Sequence, residues 1–176
     1  MLKILSFLLC SFVSITLYAQ DLDHDKFPMH LSADDYQIHY PENWTLDTSG
    51  IMNTTFLISS PLTSVDDKFA ENINFLRQDI SAYNLDLAAY VAVTERQLAS
   101  IFEGSQLYIN ETVGSGDDAY QRLSYKGEQV GFDLQFMQYV RVFEGEALIL
   151  TFTAEEDQFD TYQAEAEAIM KTFSIK

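Results

Sequence analysis

Cysteine is almost absent from this chain. The only one, Cys10, lies in an apolar N-terminal run. Beyond it there is no thiol, which excludes a cysteine nucleophile, a thiolate metal site and a disulfide framework from the rest of the sequence. Histidine is nearly as scarce: His24, His30 and His39, with none after residue 39. Basic residues are few, ten Lys and Arg against 27 Asp and Glu, for a net charge of −17. Nucleic acid is held by neutralising phosphates, so this balance argues against it; it argues equally against an anionic membrane surface. Phosphate-cradling and nucleophile-elbow glycine motifs are missing too, and "VGSGD" has the spacing of neither.

What is present begins with a targeting signal. Residues 1–19 carry one base, Lys3, then an apolar run from Ile4 to Leu17. That run is shorter than the about 20 apolar residues a bilayer-spanning helix needs. It matches the apolar region of a signal peptide, and Ala19 supplies the small residue before a cleavage point. A retained anchor is the alternative. Cleavage leaves 157 residues, 20–176, with nine bases against 27 acids, a balance of −18. The expectation is a bacterial protein exported to the periplasm or medium, without an integral membrane span after cleavage. A length of this order suits one domain that buries about 68–70% of its unfolded surface, enough to fold on one core without disulfides.

Residues 20–35 are polar, with acids at Asp21, Asp23, Asp25, Asp34 and Asp35, and predict a flexible acidic lead-in. Residues 36–176 predict a single domain. Tyr36, Ile38 and Tyr40 alternate with Gln37 and His39 as on a strand, which Pro41 ends because proline cannot donate to a ladder. The only tryptophan, Trp44, follows and is expected to anchor a turn over the sheet end. "TTFLISS" (54–60) and "NINFLRQDI" (72–80) predict two more strands, the latter with Ile73 and Phe75 on one face. A helix is predicted next, with Asn84 as N-cap, Leu87, Val91, Leu98, Ile101 and Phe102 as its apolar stripe, and Gly104 as its stop.

Strands are then expected at "QLYINETV", "AYQRLSYK", "GFDLQFMQYVRVF" and "ALILTFT", separated by turn signals at "GSGDD" and "KGEQ". In the third, Phe132, Leu134, Phe136, Val140 and Val142 face one way and Asp133, Gln135 and Arg141 the other, which favours antiparallel pairing. A closing helix from about "EEDQFD" has Phe159, Tyr162, Ala166, Ile169, Met170 and Phe173 as its buried stripe. Strands, helix, strands, helix is an α+β order, a mostly antiparallel central sheet flanked by helices.

With these elements in place the chain resembles the PsbP-like superfamily, which is named for an extrinsic subunit of the photosynthetic oxygen-evolving complex and includes bacterial envelope proteins of the DcrB type. The resemblance is carried by "YQIHYPENWTL", the "NINFLRQDI" strand, the helix from Leu85 to Phe102, the "GSGDDAYQRLSYKG" hairpin and the ending "LILTFTAEEDQFDTYQAEAEAIMKTFSI", in that order. It covers residues 34–176. It implies an α/β/α sandwich and a group of mostly non-catalytic interaction domains with no shared catalytic signature.

Candidate chemistry is thin. Asp21, Asp23, His24 and Asp25 are metal candidates, three acids at positions 1, 3 and 5 of a calcium-loop pattern. Lys26 occupies the place of its glycine and Ser32 that of its bidentate Glu, so no EF-hand is expected. Adjacent carboxylates such as Asp66-Asp67 point to opposite faces of a strand and make poor acid–base partners. No catalytic residue and no cofactor are expected; a hydrolase would require a buried acid or histidine of shifted pKa in a cleft. The aromatics are plentiful, and Tyr83, Tyr108, Tyr120 and Tyr139 are candidates for a partner-binding groove. The expected function is an exported, non-enzymatic domain that binds a protein partner or assists envelope assembly. The alternatives are a small-molecule or calcium-binding module, with its pocket between sheet and helix, and a small hydrolase.

Overall fold

Strict alternation in residues 132–143 sets the centre of the molecule. In the computed structural model, which describes residues 26–101, 107–116 and 119–176, this segment is a twelve-residue strand. The strands are β1 (Met29–Ser32), β2 (Tyr36–Tyr40), β3 (Thr45–Asp47), β4 (Phe56–Ser59), β5 (Asn72–Asp79), β6 (Leu107–Val113), β7 (Tyr120–Gln129), β8 (Phe132–Phe143), β9 (Glu146–Glu155) and β10 (Ser174–Ile175). The helices are α1 (Leu87–Ile101) and α2 (Phe159–Met170). Seven strands form one sheet in the order β3-β4-β5-β9-β8-β7-β6, and three form a small sheet, β1-β2-β10. Every pairing among them is antiparallel.

Two-residue turns make the long hairpins. Val130-Gly131 and Glu144-Gly145 link β7 to β8 and β8 to β9, and all four residues have positive φ. This is the pattern of turns whose twist matches that of the strands they join. The β7–β8 turn therefore lies beyond the "KGEQ" signal: Gly127 is inside β7, paired with Leu134. At Gly145 a Cβ would meet Ser81 Cβ at 3.1 Å, so glycine is required there for both φ and space.

The two faces of the large sheet are covered differently. On one, α2 and the small sheet pack over Ile73, Phe75, Met137, Leu148, Leu150 and Phe152, making the main core. On the other, α1 sets Tyr90, Val91 and Leu98 against Leu123, Val140 and Phe136. The result is an α+β fold with helices on both faces. Odd-numbered positions of β8 are thus not a water-facing side: Met137 is 1% exposed, beneath α2.

Four sequence expectations need correction. The flexible lead-in to residue 35 contains β1, which pairs with β2 in a tight hairpin register, His30 opposite His39. Asn84 does not cap α1; it sits in the left-handed region at φ 47, and the Asp86 carboxylate instead accepts the Ala89 amide at 2.8 Å. Ile101, expected in the apolar stripe of α1, is 67% exposed, whereas Leu98 in the same turn is buried against Tyr125 and Phe136. The closing helix ends at Met170, so Phe173, expected in its buried stripe, lies beyond it, and the Ser174–Ile175 segment that follows is a strand paired with β2. Phe102, Gly104 and the Asp117-Asp118 part of the "GSGDD" turn lie outside the described residues.

Candidate functional site

Past the C-terminal end of α2, between Lys171, the segment 173–175 and the strands of the large sheet, lies a cleft of about 300 Å³. Cross-strand register builds its base from two rows. One runs Arg122, Tyr139, Leu150, Phe75 across β7, β8, β9 and β5; in the next, Arg141 lies opposite Leu148, which lies opposite Arg77. Tyr139, Leu150, Phe75, Arg141 and Leu148 line the cleft directly, with Tyr120 at the β7 side. Met170 and Lys171 close the helix side, and residues 173–175 form a strap along the edge. The strap is held because Phe173 packs on Phe75, ring centroids 4.7 Å apart, and because Ser174 and Ile175 pair with β2.

Charge in this region is unusual for so acidic a chain. Of the four arginines in the sequence, Arg77, Arg122 and Arg141 all lie in those two rows. Two are held by pairs of carboxylates: Arg77 by Asp35 and Glu146, and Arg122 by Glu111 at 3.1 Å and Glu167 at 2.6 Å. Arg141 stands between them, its guanidinium 5.1 Å from the Phe143 ring centroid. Lys171 lies 3.6 Å from Glu167. Among the described residues that line the cleft there are two cations and no carboxylate. Tyr120 and Tyr139 stack obliquely with centroids 4.8 Å apart. Burial pushes the Tyr139 phenol up to about 12, with the Glu167 carboxylate adding to the effect, and burial raises Tyr120 as well. Both hydroxyls are therefore neutral hydrogen-bonding groups at physiological pH.

The four tyrosines named from sequence do not form one groove. Tyr120 and Tyr139 meet in the cleft. Tyr83 is 72% exposed in the 3-10 turn before α1, and Tyr108 is 59% exposed on β6 with Lys126 5.3 Å from its ring. Arg141 and Lys171 were not singled out by sequence. The available signal was the alternation that places Tyr120, Arg122, Tyr139 and Arg141 on one side of adjacent strands, in a chain with so few bases.

A second, smaller cleft of about 230 Å³ lies where β9 runs into α2, lined by Asp67, Glu71, Glu155 and Tyr162 among others. Glu71 is 2% exposed, and its carboxylate accepts the Ser60 hydroxyl at 3.1 Å. Burial, reinforced by the nearby Asp67 and Glu155 charges, raises its pKa. Burial raises Glu155 too, with Asp157 and Asp67 adding, whereas hydrogen bonds from Thr63 hold Asp67 low. Among the described residues no three or more His, Cys, Asp or Glu side chains are grouped so as to hold a metal. The metal candidates Asp21, Asp23, His24 and Asp25 lie outside the described residues. His39 stacks on His30 across the β1–β2 hairpin at 5.0 Å, and neither ring lines this cleft.

No family model and no curated protein matches the chain. Solved structures do. The solution structure of cyanobacterial PsbP from Synechocystis sp. PCC 6803 is 18% identical, with a TM-score of 0.59 over 84% of this chain and 92% of that one. PA94 from Pseudomonas aeruginosa, a protein of unknown function, is 17% identical at a TM-score of 0.58, over 82% and 94%. LpqN from Mycobacterium tuberculosis, described as involved in cell envelope biogenesis, is 15% identical at 0.57, over 84% and 91%. The chain has the PsbP-like fold, as the resemblance in its sequence implied.

Proposed function

We propose that this chain is an exported, non-enzymatic accessory domain of the bacterial cell envelope, and that it binds a protein partner through the cleft beyond α2. The observation that carries this reading is the Tyr120–Tyr139 pair beside Arg141, above a floor of Phe75, Leu148 and Leu150. Tyrosine and arginine around an apolar depression are the residue types and the setting of interface hot spots. An LpqN that is described as involved in envelope biogenesis shares the fold and supports the setting. Residues 1–19, with the marks of a signal peptide, support export. Among the described residues no helix is long and apolar enough to cross a membrane.

The test is site-specific photo-crosslinking in the native envelope. A photoreactive phenylalanine analogue at position 120 is expected to yield one discrete adduct, weakened by Arg141→Gln. The same probe at Val130, at the tip of the β7–β8 turn, is expected to yield none. Equal labelling from both positions would sink the proposal.

A second reading, a small hydrolase, has one observation in its favour. Glu71 meets the requirement of a buried acid with a raised pKa in a cleft. Turnover of a p-nitrophenyl ester that disappears in Glu71→Gln would favour this reading; turnover absent from the wild type, or unchanged in the variant, would end it.

A further inference from the structure

We propose that Asp67 and Glu155 form a proton latch: acid draws the loop 61–70 down over the small cleft where β9 runs into α2, and neutral pH lets it stand open. The latch is separate from the cleft beyond α2 and from any partner bound there. The loop is built to move as one body. Its neck is clasped where the chain leaves β4 and enters β5, the Ser60 amide donating to the Glu71 carbonyl at 2.8 Å. Beyond the neck it is bonded to itself. The Asp67 carboxylate accepts the Thr63 amide at 2.8 Å, the Thr63 hydroxyl at 2.9 Å and the Phe69 amide at 3.2 Å, and the Lys68 ammonium donates to the Val65 carbonyl at 2.6 Å. Compact surface loops of this kind, closed at the neck and held by their own side chains, carry their shape with them. Leu62 and Val65 on this loop are 54% and 88% exposed, so the open position leaves apolar surface in water.

Charge supplies the force. Asp67 on the loop, Glu71 at its neck and Glu155 at the end of β9 line one cleft of about 230 Å³, and no base lines it among the described residues. The other charges around Glu155 are Asp133, Glu156 and Asp157, with Lys126 taken up by Glu156. On the α2 side stand Tyr162 and Glu165. With the carboxylates ionised, like charges on the loop and on the wall repel across the cleft. The two latch groups hold a proton unequally. Hydrogen bonds from Thr63 and Phe69 keep Asp67 low, whereas burial, with Asp157 and Asp67 adding, raises Glu155. As pH falls, Glu155 is therefore protonated while Asp67 is still ionised, the division of roles expected where environments push two carboxyls apart. The Glu155 carboxyl then donates its proton in a hydrogen bond to the Asp67 carboxylate. Such a charge-assisted bond is stronger than a neutral one, and it replaces a repulsion with an attraction. Glu71 keeps its bond with the Ser60 hydroxyl at 3.1 Å, so Glu155 carries the latch.

Hydrogen exchange on the whole protein tests this. The quantity read is the protection factor of amides 64–68, corrected for the intrinsic pH dependence of exchange, with the amides of β8 as internal reference. From about pH 7.5 to about pH 4.5 we expect the loop protection to rise about fivefold relative to β8. Glu155→Gln, whose amide donates to Asp67 at either pH, is expected to show the acid level of protection already at the higher pH. Glu155→Ala, which removes the charge without supplying a donor, is expected to show no rise, and Glu71→Gln to keep it. A wild-type loop whose protection does not change with pH overturns the proposal. So does a Glu155→Ala loop that rises as the wild type does, or a Glu155→Gln loop that matches the wild type at both pH values. A rise that Glu71→Gln abolishes places the proton at the neck and overturns the assignment to Glu155.

Discussion

Thr172 behaves as a strand residue for His39. Its hydroxyl oxygen accepts the His39 amide at 2.8 Å and lies 3.0 Å from the His39 carbonyl, sharing its proton between that carbonyl and Ile169, 2.7 Å away. One side chain thus completes the edge of β2, tethers the end of α2 and starts the strap that bounds the cleft.

Thr172→Val keeps the shape and removes all three contacts. A buried amide left without a partner costs about 1–3 kcal/mol. We expect a loss of that size in denaturant unfolding and faster hydrogen exchange at the His39 amide than at Ile38. Unchanged exchange at His39 would show that another group satisfies it.

Trp44 is 4% exposed, its amide donates to Pro41, and its ring meets Tyr162 edge-on with centroids 6.5 Å apart. It holds the β2–β3 turn against α2, as its place after Pro41 implied. Trp44→Ala is expected to cost about 3–5 kcal/mol through the cavity it leaves. Thermal unfolding measures this; a loss below about 1 kcal/mol would mean that the turn collapses to refill the space.

Asp86 begins α1 by accepting the Ala89 amide. Asp86→Ala is expected to cost about 1 kcal/mol, and Asp86→Asn a few tenths, since an amide oxygen still caps. Asn84→Gly is expected to be no worse than neutral, because glycine adopts φ 47 without strain and Asn84 makes no cap to lose. Denaturant midpoints for the three variants decide between the two candidate caps.

The sequence shows this fold through its long elements. Period-two runs at 72–79 and 132–143 announce strands whatever their surroundings, because each buries one side chain in two. Short elements behave otherwise. Met29–Ser32 and Ser174–Ile175 have no pattern of their own; they become strands because β2 offers them its two edges. Asp86 rather than Asn84 caps the helix because a 3-10 turn at Ser81–Tyr83 precedes it, beside a tertiary hydrogen bond from the Ile80 amide to the Gly145 carbonyl at 2.8 Å. The site was half legible. Tyr120 and Tyr139 stood out as aromatics, but Arg141 takes its meaning from Lys171, which reaches the same cleft from α2 thirty residues later. Composition displays such a pair only as two of ten bases.

Glu71 makes stability depend on pH in a direction opposite to that of most carboxylates. Burial, with Asp67 and Glu155 adding, raises its pKa in the folded protein above that of the unfolded chain. The stability it contributes is therefore fully present below the unfolded value, about 4.3, and is lost as pH rises through the folded value. Once ionised, the buried carboxylate is stabilised by a backbone amide and then by the Ser60 hydroxyl. Glu71→Gln retains an acceptor for Ser60 and carries no charge. It is expected to gain on the order of 1 kcal/mol at pH 7, a rise of about 2–4 °C in melting temperature. Toward pH 4 and below, the ionisation of Glu71 fades in the folded and unfolded chain alike, so the gain is expected to shrink. Calorimetry at both pH values tests this. A gain that is equal at pH 4 and pH 7 would show that packing, not ionisation, sets the difference. A loss at pH 7 would show that the Ser60 bond to the ionised carboxylate outweighs the cost of burying it.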